Sequence, residues 1–239
     1  MKPWFVTDTG INERLTDSDW EVFHRICPSR QFAKGDIIFH AGDPATHLHI
    51  VAEGQIKLVA MTPTGNERIL AICGHEDLIG EAFLSADAHY RADAVALIDS
   101  HTCPISREQF LAVVKEAPHF ALGFSEILAS QLFGCYEQLS DSYAPVKYRV
   151  AKVLIDQARR FGAPADSTSH QEGWSVLETS LKHEEIASMV TATRVSVSMA
   201  IAELKRDGVL EGSRGHYLLH LEDLEQLVLM LDTTENDTV

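Results

Sequence analysis

The stretch IGEAFLSADAHYRADAVAL, residues 79–97, holds residue types that could bind a compact anion. A Gly-Glu pair at Gly80 and Glu81 is followed, ten residues after the glutamate, by Arg91. An arginine presents a planar fork of donors that matches a phosphate or a carboxylate. Alanines stand at alternate positions after Arg91, and such small neighbours would let a ligand approach the backbone. The spacing therefore predicts an anion site.

A second stretch, HEEIASMVTATRVSVSMAIAELKRDGVLE, covers residues 183–211 and has the pattern of two helices joined by a tight turn. Two short strands around a Gly-rich turn are predicted to follow. Helix, turn, helix and hairpin is the arrangement of a winged helix-turn-helix, which binds DNA through its second helix. On that helix, predicted over 193–206, one face is apolar and faces the core: Val197, Ala200, Ile201 and Leu204.

The DNA contacts are expected near the N-terminal end of this helix, where such helices read bases. Arg194 is the candidate for a bidentate contact to guanine, and Val195 and Met199 for contacts to thymine methyl groups. The phosphate contacts would come from lysine, arginine and histidine. The predicted DNA-binding residues are Lys182, His183, Thr193, Arg194, Val195, Ser196, Ser198, Met199, Lys205 and Arg214.

The distribution of charge agrees with this placement. The chain of 239 residues has a formal net charge of −15, which by itself disfavours nucleic acid as a partner. Residues 145–215, however, carry ten Lys/Arg against nine Asp/Glu, whereas residues 1–144 carry ten against twenty. DNA binding is therefore expected only in the C-terminal part.

The two sites are positioned by segments with different predicted secondary structure. Short β-rich runs with regularly recurring glycines fill residues 31–106, which predicts an antiparallel barrel or sandwich. A helix without an internal proline is predicted over 118–144, and Pro145 ends it. Its heptad-like seam of Leu128, Leu132, Cys135 and Leu139 predicts dimerisation, and a second apolar edge contains Phe120, Phe124 and Ile127. The alternative is one broad core face.

The predicted fold class is α+β: an N-terminal antiparallel β-roll of the jelly-roll type, a long dimerisation helix and a C-terminal winged helix-turn-helix. The expected boundaries are 1–117, 118–144 and 145–231, with a disordered tail over 232–239. Neither a signal peptide nor a run of about 18 apolar residues is present, so a cytoplasmic protein without a membrane partner is expected. No enzyme motif is visible, and no cysteine spacing indicates a metal.

In their order and spacing, these motifs resemble the cyclic-AMP receptor protein/FNR (CRP/FNR) family of bacterial transcription regulators. The resemblance implies that a cyclic nucleotide is the candidate effector, with Arg91 pairing with its phosphate and Glu81 accepting from its ribose hydroxyl. It also implies a homodimer, an inverted-repeat operator in double-stranded DNA and RNA polymerase as a partner. The implied effector-binding residues are Gly80, Glu81, Ala82, Arg91, Ala92, Gly134 and Cys135.

Gly134 and Cys135 stand where the cyclic-AMP receptor contacts adenine through a Thr-Ser pair, which argues against cyclic AMP but not against another cyclic nucleotide. Several alternatives remain open within the same fold. Glu81 and Arg91 could form only an ion pair, leaving an effector-independent regulator, or a haem or a Cys135 thiol could be the sensor. An iron–sulfur cluster is disfavoured because Cys27 is the only cysteine before Cys73. A ligand-binding module without DNA binding is the remote alternative.

Overall fold

The computed structural model describes residues 28–165, 173–177, 179–213 and 215–236, with side chains described through residue 231. The chain divides into two compact units, the first ending at Leu132 and the second beginning at Phe133. The part of the first predicted domain before residue 28 and the predicted contact Arg214 lie outside the described residues.

The first unit contains two four-stranded antiparallel sheets, as the glycine-punctuated pattern predicts. The strands are β1 Arg30–Phe32, β2 Ile37–Phe39, β3 His47–Glu53, β4 Ile56–Met61, β5 Glu67–Cys73, β6 Leu78–Ile79, β7 Asp93–Ala96 and β8 Ser100–Ser106. One sheet has the order β1-β8-β3-β6 and the other β2-β7-β4-β5. A short 3-10 helix, Glu81–Leu84, follows β6.

Burial of apolar strand residues explains why these short segments form a roll. Leu48, Ile56 and Ile79 are fully buried, and they belong to one hydrophobic core. Helix α1, Arg107–Glu116, follows β8 and begins with a capping box. In it, the Ser106 hydroxyl accepts from the Gln109 N–H, and the Gln109 side chain accepts from the Ser106 N–H.

Helix α2, Pro118–Asp141, is the predicted long helix. Phe120, Phe124 and Ile127 are at most 3% exposed and pack in the core of the first unit, which confirms the second apolar edge. The helix ends three residues before the predicted boundary at residue 144. Pro145 then precedes the next helix and lies at its N-cap, so the proline separates two helices as predicted.

The second unit contains the predicted helix-turn-helix and hairpin. The elements are α3 Val146–Phe161, β9 Gly162–Pro164, β10 Trp174–Leu177, α4 His183–Met189, α5 Arg194–Arg206, β11 Leu210–Ser213, β12 His216–His220 and α6 Leu221–Asn236. The sheet has the order β11-β12-β10-β9, all antiparallel.

The prediction of a disordered tail over 232–239 is wrong for its first five residues, because α6 continues to Asn236. The polar composition of DTTENDTV suggested disorder, but a helix that has already formed gains one backbone hydrogen bond with each added residue. Among the helices of the described chain, none is both long and apolar enough to cross a membrane.

Candidate effector and DNA-binding sites

Gly80 sets the backbone path at the start of the predicted anion site. Its φ of 86° lies in the left-handed region. A Cβ at this position would lie 3.0 Å from the carbonyl oxygen of His47 and 3.0 Å from the ring of Tyr90. Glycine is therefore required both by conformation and by space. Glu81, the next residue, is exposed at the first position of the 3-10 helix, and Ala82 is half-buried.

The far end of the same loop is anchored by Tyr90. Its ring stacks on Phe39 with centroids 3.8 Å apart, and its hydroxyl donates to the carbonyl oxygen of His47 at 2.8 Å. Burial of the hydroxyl raises the pKa of Tyr90, so the side chain stays a neutral donor. Because the Tyr90 ring also lies against Gly80, the two ends of the predicted anion loop are held together.

Arg91 extends from this anchored end and is exposed. Its Nη2 lies 2.8 Å from Oδ2 of Asp87, and Nδ1 of His89 lies 2.8 Å from Oδ1 of the same carboxylate. The hydrogen bonds from His89 and then from Arg91 hold the pKa of Asp87 below its usual range. The ion pair between Glu81 and Arg91 is not among those of the described residues, since Arg91 pairs with Asp87 instead.

The alternating alanines after Arg91 are all buried in the first unit. Ala92, Ala94 and Ala96 are at most 7% exposed, so all three side chains point to the same, interior side of the chain. A ligand would therefore meet these side chains only from the interior side of the strand.

The long helix α2 carries the remaining predicted effector residues and the predicted dimer seam. Gly134 is buried and Cys135 is exposed, and both belong to the second unit. In the seam, Leu128 packs against the core of the first unit, whereas Leu132 and Leu139 are 50% and 68% exposed. Two further apolar residues outside the predicted seam are also exposed on α2, Phe133 and Tyr136.

The recognition helix α5 has the two faces that its periodicity predicts. Val197, Ala200, Ile201 and Leu204 are at most 4% exposed, and Val195 and Met199 are 68% and 61% exposed. The helix begins at Arg194 because the hydroxyl of Thr193 accepts from the Ser196 N–H at 3.1 Å. Thr193 and Ser196, both predicted DNA contacts, thus take part in the N-cap.

Helix α4 and the hairpin bring other predicted contacts to a groove beside α5. The groove has a volume of about 550 Å³. The Lys205 ammonium donates to the carbonyl oxygen of Gly212 in β11. The predicted contacts that line the groove are Lys182, His183, Arg194, Ser198 and Lys205.

Two side chains modify the charge of this groove. Oε1 of Glu184 lies 3.6 Å from Nε of Arg194, and both side chains are about 70% exposed. Nδ1 of His183 lies 2.7 Å from the Ser198 hydroxyl. Desolvation, and then the charges of Arg194 and Lys205, lower the pKa of His183, which favours a neutral imidazole in the free protein.

Sequence reasoning missed Asp87 and Glu184, which contact the predicted site residues Arg91 and Arg194, and His89, which contacts Asp87. A signal existed for two of them. Asp87 stands four residues before Arg91, and Glu184 follows His183 directly. Neither spacing predicts a contact by itself, because the contact also depends on the path of the loop or on the packing of α4 against α5.

Family models match both units of the chain. A cyclic nucleotide-binding domain matches residues 29–117, and a Crp-like helix-turn-helix domain matches residues 148–230. The chain belongs to the CRP/FNR family. It is a CRP-like transcriptional regulator with a cyclic nucleotide-binding domain and a DNA-binding helix-turn-helix domain, and the predicted α+β fold class is confirmed.

Curated relatives and solved structures agree with this assignment. A "CRP-like cAMP-activated global transcriptional regulator" of Mycobacterium tuberculosis is 29% identical over 179 residues, 74% of this chain and 77% of the relative. The "Cyclic AMP receptor protein" of Thermus thermophilus is 29% identical over 202 residues, 84% and 86% of the two chains. A CooA variant from Carboxydothermus hydrogenoformans has the same fold, with a TM-score of 0.72, 22% identity and coverage of 94% and 98%.

Proposed function

We propose that this regulator is a homodimer that binds an inverted-repeat operator through α5 and whose affinity for DNA is controlled by a cyclic nucleotide bound at Gly80, Glu81 and Arg91. The observation that carries the DNA-binding part is the arrangement of α5. Its core face is buried, while Arg194, Val195 and Met199 are exposed near its N-terminal end. A dimer with two-fold symmetry requires two half-sites about one helical turn apart.

The effector is proposed from the loop geometry together with the names of relatives. Gly80 provides a turn that only glycine adopts without strain, and Arg91 is exposed at the other end of the loop. The relatives from Mycobacterium tuberculosis and Thermus thermophilus are named for cyclic AMP. Gly134 and Cys135 lack the hydroxyl groups that would contact adenine, so we expect a base preference that differs from that of the cyclic-AMP receptor.

The dimer is proposed from the exposed apolar residues of α2. Leu132 and Leu139 are exposed large hydrophobic residues on the predicted seam, and Phe133 and Tyr136 extend the surface. Leu132→Glu would place a charge in that seam and is expected to dissociate the dimer. Leu111→Glu, a charge at an equally exposed leucine of α1, is the control. Equal sedimentation of wild type and Leu132→Glu would place the interface elsewhere.

One experiment tests the function as a whole. The full chain is used to select duplexes from random DNA, with and without a panel of cyclic nucleotides, and bound sites are sequenced. We expect a palindromic site that is enriched more strongly in the presence of one cyclic nucleotide. A non-palindromic site would contradict the dimeric arrangement, and the same enrichment with every nucleotide and with none would contradict effector control.

The remaining parts of the proposal follow from this role. A regulator that alters transcription from an operator acts where RNA polymerase binds, so we propose RNA polymerase as a partner and the cytoplasm as the location. We propose no catalytic activity, because DNA and effector binding account for the two sites.

A further inference from the structure

The carboxylate of Asp87 is engaged on both of its oxygens by residues of the predicted anion loop. Oδ2 accepts from Nη2 of Arg91 at 2.8 Å, and Oδ1 lies 2.8 Å from Nδ1 of His89. The guanidinium that would bind the phosphate of an effector is therefore already paired with an anion that belongs to the protein.

The backbone around Asp87 is held in place, so this pairing is a feature of the folded loop. The Ser85 hydroxyl donates to the carbonyl oxygen of Asp87 at 2.8 Å. The carbonyl oxygen of Ala88 accepts from the Ala45 N–H at 2.6 Å, and that of Tyr90 accepts from the Gly42 N–H at 2.8 Å. The side chains of Asp87 and Arg91 project from a segment fixed at both ends.

The charges of the cluster determine what happens when an anion arrives. The charges of Asp87 and Arg91 cancel each other, so a phosphate placed beside the intact pair would meet no net positive charge from it. A phosphate that displaces the carboxylate recovers the full arginine charge and its donors. Both side chains are 68% exposed, so the exchange takes place in water, where a single ion pair is weak.

We propose that Asp87 is an internal counter-ion of the effector site, which occupies Arg91 in the free protein and competes with the phosphate of a cyclic nucleotide. This inference rests on the proposed effector function. Asp87 thereby raises the concentration of effector that is needed to occupy the site. The displaced Asp87 remains paired with His89.

Titration calorimetry of the full-length protein with a panel of 3′,5′-cyclic nucleotides tests this role. Asp87→Asn keeps the size of the side chain and removes the charge. We expect it to bind the preferred nucleotide about two- to fivefold more tightly than wild type, the range expected for loss of one exposed competing ion pair. The gain should shrink as salt is raised, because exposed charges are screened.

Glu53→Gln is the matched control. Glu53 is likewise an exposed carboxylate paired with a histidine, with Oε2 3.2 Å from Nδ1 of His101. It lies six residues along β3 from His47, which is about 20 Å at the rise of a strand. The Glu53→Gln substitution therefore removes one negative charge from the same unit without contacting Arg91. The nucleotide affinity of this variant should equal that of wild type.

The outcomes separate this inference from the function on which it rests. If wild type binds a nucleotide and Asp87→Asn binds it equally or more weakly, Asp87 is not a competitor, while the effector site stands. An equal gain in Glu53→Gln would show a general charge effect and would also overturn the role of Asp87. If none of the proteins binds any cyclic nucleotide at millimolar concentration, the effector function itself fails, and the inference with it.

Discussion

Arg91 in the first unit and Arg194 in the second are both exposed and both lie beside one acid, but the acids are held differently. Asp87 is 2.8 Å from Arg91 and is also bound by His89, whereas Glu184 is 3.6 Å from Arg194 through a single contact. Around Arg194 the groove contains further cations, Lys182 and Lys205. Around Arg91 the Asp87 carboxylate cancels the charge of the guanidinium.

The difference reflects what each arginine is proposed to bind. A compact effector offers one negative charge, so a site with a paired arginine binds it only by exchange and can be tuned by the protein's own acid. DNA offers a row of phosphates, so excess positive charge on an open groove gives affinity that depends strongly on salt. Arg91 is closely paired with one carboxylate of the protein, whereas Arg194 shares its groove with two lysines.

The largest expected effect comes from His49, which the first unit buries as a neutral imidazole. It is 4% exposed, and Nδ1 lies 3.1 Å from the Thr102 hydroxyl. Desolvation, and then the charges of His47 and Arg30, lower the pKa of His49 to about 4. Its folded pKa lies below its unfolded value, so its neutral form stabilises the fold above about pH 6.5, and this stability is lost as the pH falls toward 4.

The expected loss in the free energy of unfolding of the first unit is roughly 3 kcal/mol between pH 6.5 and 4. Urea denaturation at several pH values measures it. His49→Gln should be less stable at neutral pH but should lose less stability on acidification. His101→Gln, the same substitution at an incompletely buried histidine of β8, is the control. The same pH profile in His49→Gln would assign the acid sensitivity to other groups.

Arg91→Ala tests the effector side of the comparison. Loss of a charge-assisted hydrogen bond costs about 1.5–3 kcal/mol, so affinity for the preferred cyclic nucleotide should fall by about ten- to 150-fold. Arg91→Lys keeps the charge but loses the planar fork, and an intermediate affinity is expected. DNA binding without effector should not change in either variant. If Arg91→Ala binds the nucleotide as tightly as wild type does, Arg91 has no role in effector binding.

Arg194→Ala tests the DNA side at one base pair. A bidentate arginine–guanine contact gives about 1–3 kcal/mol of discrimination, so preference at one G·C pair in each half-site should relax. Lys182→Ala is the contrasting variant, since a phosphate contact should weaken all sequences alike and reduce the salt slope by about one unit. Selection from random DNA decides between them. Enrichment of the same G·C pair with and without Arg194 would show that other residues contact this base pair.

The sequence predicted the elements more completely than the contacts between them. The faces of α5 follow from a period of 3.6 residues, and burial of Val197 and Leu204 confirms them. The glycine rhythm likewise indicated an antiparallel sheet domain. Such patterns are local, because side chains a few residues apart report which face of an element is buried.

The contacts that the sequence did not predict are those set by loop paths. Asp87 reaches Arg91 because the segment between them is anchored to residues 42–45 by backbone hydrogen bonds, which no spacing encodes. The alanines after Arg91 fit ligand access and strand packing equally well, and the burial of Ala94 and Ala96 is compatible with both.

The last and smallest expected effect concerns His183. It lies in the groove with three cationic residues, Lys182, Arg194 and Lys205, and one acid, Glu184. In the free protein, desolvation and then the neighbouring cations Arg194 and Lys205 lower the pKa of His183. Phosphates that enter the groove would cancel these cations and favour the imidazolium, so DNA binding should raise that pKa. A group whose pKa is higher in the complex takes up a proton on binding.

DNA affinity of wild type should therefore increase as the pH falls from about 7.5 to 6, by no more than about tenfold per pH unit, because one proton is the limit. Fluorescence anisotropy with an operator duplex at constant salt measures the slope. His183→Gln keeps a hydrogen-bonding side chain near Ser198 but cannot titrate, so its affinity should change less with pH. His75→Gln, an exposed histidine of the first unit, should retain the wild-type slope. Equal slopes in wild type and His183→Gln would show that the proton is taken up elsewhere and that His183 does not face the phosphates.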